Sequence, residues 1–317
     1  MRSHTKEGCT VIGALSMLPV VLATGGFDHK IRLWDATSGT CPKIYRFGES
    51  QVNCLATSTD KGLLLGGGNP LINLFDLKSQ SDSPVFSYEG HTNNVTALGF
   101  QRDGKWLYSA SEDGTLKVWD IRSPTCQYSY DCGAAINTAV LHPNQMEIIT
   151  GDQTGCVKVW DLSMNALREE HTPAVESPIQ SISIASTGKF MTVGSHKGHV
   201  FVYKTEDGKM ELKTDFQAHN MYLLKCVISP NTNVLATASA DKTVRLWNTE
   251  TWVQERVLQQ HQRWVWDAVF SADSLYLVTA SSDQSAKLWD LQTGEVVRNY
   301  LGHSLAVTCV TLNDTRS

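Results

Sequence analysis

An aromatic residue returns along this chain at a nearly constant interval. Trp34, Phe75, Trp119, Trp160, Tyr203, Trp247 and Trp289 are spaced by 41, 44, 41, 43, 44 and 42 residues. Each closes a run in which apolar and polar residues alternate, as in "IRLWD", "LKVWD", "VKVWD" and "KLWD". Such alternation marks a strand with two different faces. Turn-forming stretches ("RDGK", "EDGT", "ADKT", "TEDGK") separate the runs. A period in the forties that ends on Trp-Asp predicts an all-β propeller of WD repeats, one four-stranded blade per repeat. Seven slots predict seven blades. They leave little chain for a second domain, although 317 residues alone would allow one.

Polar residues recur at fixed spacing too. His91 and Asp113, His219 and Asp241, and His261 and Asp283 are each 22 residues apart. Each Asp lies six residues before its Trp (Trp119, Trp247, Trp289), and a Ser lies two residues before each Asp (Ser111, Ser239, Ser281). A catalytic Ser/His/Asp set occurs once per site. A set that repeats belongs to the architecture, so these residues are read as hydrogen-bonded structural tetrads and no catalytic residue is assigned. Three blades lack the His. Blade 2 has Asn69 and Phe75 in the Asp and Trp slots, blade 4 has Thr154, and blade 5 has Lys197 and Tyr203.

The two ends of the chain are complementary. "VVLATGGFDHKIRLWD" supplies Asp28 and Trp34 but no His, whereas "GHSLAVTCVTLND" supplies His303 and one strand. Residues 305–312 are therefore expected to form the inner strand of blade 1 and close the ring, which removes exposed sheet edges. Residues 10–15 ("TVIGAL") are the rival for that place; the C-terminal segment is preferred because it carries the His. Residues 1–18 are read as an N-terminal extension and 19–317 as the propeller. The first residues resemble a secretory signal, but cleavage near Ala23 would remove part of a blade strand.

Composition narrows the function classes. The net charge of −5 advertises no basic surface for nucleic acid or an anionic membrane. No run is long and apolar enough to span a membrane. Eight Cys without a Cys-x-x-Cys pair suit buried thiols in a reducing, cytoplasmic setting. The ten His show no metal spacing beyond His196 and His199 in a turn, so neither metal nor cofactor is expected. A closed ring leaves no long edge to pair, so the propeller alone is expected to be monomeric.

The repeat geometry also selects candidate binding residues. His and Asp lie in loops that emerge on one face, so their neighbours are candidates for partner contact. "QRWVW" offers Gln262, Arg263, Trp264 and Trp266, and strand alternation places the two Trp on one side with Val265 opposite. Trp and Arg are enriched at binding hot spots. Gln51, Asn53, Asn93, Asn94, Met221 and Tyr222 hold similar positions in other blades, as do Glu112 and Gln153 in the Asp turns.

Several segments are more specific than a generic repeat. "LHPNQMEIITGDQTGCVKVWDL", "HTNNVTALGFQRDGKW", "HQRWVWDAVFS", "LVTASSD" and "GHSLAVTCVTLND" resemble the G-protein-beta-like (GβL) subunits of the TOR kinase complexes, over roughly residues 19 to 314. The resemblance implies a non-catalytic subunit that sits on the TOR kinase domain beside its active-site cleft and stabilises it, in both TOR complexes. The kinase itself would carry ATP and magnesium. A different WD-repeat adaptor, such as a ubiquitin-ligase substrate receptor, is the alternative.

Overall fold

The computed structural model describes residues 20–60, 62–173, 176–205 and 208–314. Among these residues, 28 strands form seven four-stranded antiparallel sheets, the blades of a propeller. The extension assigned to residues 1–18 and the rival strand at 10–15 lie outside the described residues.

Burial within a blade follows the layering. The second strand of each blade is sandwiched between neighbouring blades, so both its faces are covered. Trp106–Ser111, Phe190–Ser195, Val234–Ser239 and Tyr276–Ser281 are each buried at every position after the first. The third strand still alternates, as in Thr115–Asp120. The outer strand is mostly wet, as in Ala166–His171. The apolar core is accordingly divided into separate clusters, one at each junction between blades. At the junction of blades 7 and 1, Leu22, Trp34 and Val310 pack against Val278, Ala280 and Tyr300.

The ring closes with the C-terminal strand. Val307–Asn313 pairs antiparallel with Val21–Gly26, with Leu22 opposite Leu312 and Thr24 opposite Val310. The other edge of Val21–Gly26 pairs with Lys30–Trp34, so no second inner strand can join there.

Each inner strand still presents one edge to the central channel, and side chains from neighbouring blades occupy those edges. Thr96 donates to the Ile136 carbonyl at 2.8 Å, and Asn137 to the Ile179 carbonyl at 3.0 Å. The Ser181 hydroxyl accepts the Cys226 amide and the Ser183 hydroxyl accepts the Ile228 amide. Asp267 forms a 3.0 Å ion pair with Lys225 of blade 6 and accepts the Val310 amide of blade 1. Thr308 reaches the Val52 carbonyl of blade 2 at 2.5 Å. Backbone groups that an open sheet edge would leave unpaired are thereby satisfied across the blades.

Candidate partner-binding face

In blade 3, Trp119 Nε1 donates to Ser109 Oγ at 2.8 Å. Ser109 Oγ lies 2.8 Å from His91 Nε2, and His91 Nδ1 lies 2.8 Å from Asp113 Oδ2. With the hydroxyl donating to Nε2 and the Nδ1–H donating to the carboxylate, every donor in the relay is used. The same relay runs through Trp247, Thr237, His219 and Asp241 in blade 6. In blade 7 it runs through Trp289, Thr279, His261 and Asp283. Blade 1 builds it from both ends of the chain: Trp34, Thr24, His303 and Asp28.

The hydroxyl in the relay therefore lies two residues before the Ser expected from sequence. Ser111, Ser239 and Ser281 shape the turn instead. Each accepts the backbone amide of its own Asp and so fixes the loop that presents the carboxylate. Strand register explains the difference: Trp119 lies opposite Leu107, and Ser109, opposite Lys117, is the next residue along on the same face.

The slot ten residues before each aromatic shows the logic of the relay. Where the aromatic is Trp, an indole donor, that slot holds Thr24, Ser109, Thr150, Thr237 or Thr279, and each hydroxyl accepts the indole. Where it is Phe75 or Tyr203, the slot holds Leu65 or Val193, and all four side chains are buried. Blade 4 keeps Trp160 and Thr150 without the His. Its Thr154 hydroxyl bonds Asp152, and buried Cys132 stands in the His slot.

Electrostatics fix the protonation states of the relay. Burial lowers the tendency of His91 to charge and outweighs the opposite pull of Asp113, so its imidazole is held below the usual range. Burial pushes the Asp113 carboxyl up, but hydrogen bonds from Thr115, the Thr92 amide and His91 prevail and bring it down to about 2. Asp241 is likewise brought down to about 2 against burial, with His219 and Thr243 as its hydrogen-bond partners. The relay hydroxyls of Thr24, Ser109, Thr237 and Thr279 are fully buried, out of contact with solvent.

On the face where these loops emerge, the candidate residues separate into two arcs. The polar arc spans blades 2 and 3. Asn94 Nδ2 donates to Glu112 at 2.9 Å, and Asn53 reaches Asn94 at a longer 3.5 Å. Asn93 caps the adjacent turn, its side chain accepting the Asn94 amide and its carbonyl the Ser111 hydroxyl. Gln51 is half-buried, and its carbonyl accepts the Ser50 hydroxyl. Gln153, on blade 4, is exposed and tied down through its backbone to Ala135.

The aromatic arc spans blades 5 to 7. His196 stacks on Tyr222 with centroids 4.1 Å apart, Tyr222 meets Trp264 edge-on at 6.3 Å, and Trp264 meets Trp266 at 5.6 Å. Tyr222 is 45% exposed, Trp264 39% and the adjoining Met221 47%, which is far from the burial such side chains normally reach. Gln262 and Arg263 are exposed beside them; the Gln262 amide bonds Asp283 and the Arg263 carbonyl accepts the Ser281 hydroxyl. Val265 is fully buried.

The two Trp lie together for a reason other than simple alternation. The inner and second strands of blade 7 slip register between Val265 and Asp267, so Trp266 occupies a bulge. Equivalent slips in blades 1, 3 and 4 place Thr308, Thr96 and Asn137 in the bulge, where they bond the next blade. Bulges re-aim side chains. Trp266 makes no such bond: its indole donates to Ser282 at 2.6 Å and its ring joins Trp264. His196 is absent from the candidates that sequence selects for this surface. It occupies the same slot as Glu112 and Gln153, directly after a second strand, and that equivalence could have found it. His199, its neighbour in the turn, stacks instead on Phe201.

Comparison with known proteins agrees with this architecture. Residues 4–35, 82–120, 124–161, 210–248 and 252–290 match the family described as "WD domain, G-beta repeat". Each matched segment ends on Trp-Asp or Trp-Asn, and the first three strands of the blades built on Phe75 and Tyr203 fall outside them. The chain is 49% identical over 301 residues to the "Target of rapamycin complex subunit wat1" of Schizosaccharomyces pombe, covering 93% of this chain and 96% of that one. It is 43% identical to the "Target of rapamycin complex subunit LST8" of Saccharomyces cerevisiae, over 94% of this chain and all of that one. The mouse subunit of the same name is 40% identical over 96% of this chain and 98% of its own.

Proposed function

Since the chain belongs to the LST8 family of target of rapamycin complex subunits, we propose that it serves as the non-catalytic docking subunit of a TOR-type kinase, which it grips by the kinase domain through the aromatic arc. The observation that carries this reading is the run of His196, Tyr222, Trp264 and Trp266 over three blades, exposed in part and locked in mutual contact. Aromatic side chains of this kind supply large contact area at little conformational cost. A closed ring holds them rigid, so little freedom is lost on binding. A rigid partner favours whichever arrangement of the kinase lobes it binds better, and in that way stabilises one state. The buried, fully bonded relays support a structural rather than catalytic role for the Ser, His and Asp sets. No helix among the described residues is long and apolar enough to cross a membrane, and the reading takes the protein as a cytoplasmic monomer until it joins the complex.

The test is affinity capture from the native cell with the tagged protein, beside Trp264→Ala and Trp266→Thr variants. Trp266→Thr restores the residue type that blade 3 holds in its bulge, so the fold should tolerate it. Wild type should recover a TOR-type kinase, and the folded variants should lose at least about tenfold of it, the usual range for hot-spot residues. Recovery of a ubiquitin-ligase scaffold in place of the kinase would overturn the reading. Undiminished recovery by both variants would move the contact off this arc.

A further inference from the structure

We infer that a groove between blades 3 and 4, on the face opposite the aromatic arc, is a second docking site that accepts an extended acidic peptide with apolar side chains. The groove has a volume of about 470 Å³, within the range of ligand sites. It is walled by Trp106 and Leu162 and overhung by Tyr128 and Met146, which are 50% and 53% exposed.

A buried phenol without a partner points to an occupant. Tyr130 lines the groove, is 6% exposed, and its hydroxyl has no hydrogen-bond partner among the described residues. Tyr45, Tyr88 and Tyr300 stand at the equivalent place on other outer strands. The hydroxyls of Tyr88 and Tyr300 donate to the carbonyls of Ile121 and Ala36, two residues past the aromatic of the next blade. The Tyr45 hydroxyl is likewise without a partner among the described residues, but Tyr45 is fully enclosed and lines no part of the groove. The corresponding carbonyl for Tyr130 belongs to Leu162, and that bond is missing. A buried donor left unmatched is destabilising, so an acceptor supplied from outside would be favoured. Burial, aided by Tyr128 and Asp161, holds the phenol protonated and able to donate at neutral pH.

Charge at the groove selects the ligand. Lys105 and Arg122 stand at its edge. Arg122 makes only a loose 3.5 Å contact with Asp120 and is 86% exposed, and Lys105 has no ion pair among the described residues. Asp120 also lines the groove and shares Arg122, which leaves Lys105, among the described residues, as the unpaired cation and gives a net positive edge beside apolar walls. This suits a chain in which carboxylates alternate with apolar residues. Leucine side chains would enter between Trp106, Tyr128 and Met146. A carboxylate or carbonyl would accept from Tyr130, and the outer carboxylates would meet Lys105 and Arg122.

The probe is a fluorescein-labelled Glu-Leu-Glu-Leu-Glu peptide titrated with the full chain and read by fluorescence anisotropy. Saturable binding is expected, with a Gln-Leu-Gln-Leu-Gln counterpart at least about tenfold weaker. Lys105→Glu should weaken binding about tenfold and Tyr130→Phe about three- to tenfold. Phe216 occupies the equivalent outer-strand place in blade 5, so the Phe variant should fold. Trp264→Ala, on the opposite face, should bind the peptide like wild type, which keeps this site distinct from the kinase contact. Absence of saturation, equal affinity for the Gln peptide, or indifference to both groove substitutions would each overturn the proposal.

Discussion

The Nδ1 atom of His303 lies 2.9 Å from a carboxylate oxygen of Asp28, although 275 residues separate the two in the chain. In blade 3 the same contact joins residues only 22 apart. One hydrogen-bond geometry therefore serves two purposes: it rigidifies a blade, and in blade 1 it also fastens the ring.

His303→Ala should cost about 2–4 kcal/mol, because Asp28 and the Thr24 hydroxyl lose a buried partner. Hydrogen exchange should accelerate first at Val21–Gly26 and Val307–Asn313, while blade 4 stays protected. If exchange accelerates evenly around the ring, or not at all, the contact is not a fastener.

The pairing of indole with hydroxyl, and of Phe or Tyr with Leu or Val, predicts non-additivity. Ser109→Val alone strands the indole of Trp119 and should cost about 2–3 kcal/mol. Trp119→Phe alone leaves Ser109 still bonded to His91 and should cost about 1–2 kcal/mol. The double variant recreates the apolar pairing of blades 2 and 5 and should cost at least about 1 kcal/mol less than the sum. Urea unfolding of the four proteins decides it; strict additivity would refute the pairing.

Acid should destabilise the ring in two stages. His91 is held neutral in the fold, so the unfolded chain takes up its proton first, and stability begins to fall as pH drops below about 6.5. Asp113 and Asp241 are depressed to about 2 in the fold, so their contribution is intact above about pH 4 and is lost as pH falls from there towards 2. Thermal melts from about pH 7 to about pH 2.5 should show a shallow decline followed by a steep one. Asp113→Asn and Asp241→Asn should flatten the second stage, and an unaltered acid limb in both variants would contradict this assignment.

Most of the architecture is legible in the sequence because a propeller writes its period into the chain. The seven aromatic slots count the blades, and the unmatched His303 and Asp28 foretell how the ring closes. The relay hydroxyl lies two residues from its expected place for a definite reason. Ser111, Ser239 and Ser281 are identical across three blades, whereas the true slot varies between Ser109, Thr237 and Thr279, all chemically equal acceptors. Matching by residue name favours the wrong position. Register slips leave no trace in the alternation, so the bulge that turns Trp266 towards Trp264 cannot be read from it. The groove at blades 3 and 4 is hidden because its walls come from several turns and strands distant in sequence, and because an unpaired hydroxyl is a property of geometry alone.

The way blade 1 is assembled also sets an order of events during synthesis. Thr24 leaves the ribosome long before His303, its partner 279 residues later. At ordinary elongation rates that delay is roughly 15–55 s. During it the nascent blade 1 carries Val21–Gly26 with one edge unmatched, while blades 2 to 7 can each complete their four strands as they emerge. Among the described residues the first strand to be made is thus the last to be satisfied, and the window in which a growing chain exposes a sticky edge is built into the topology.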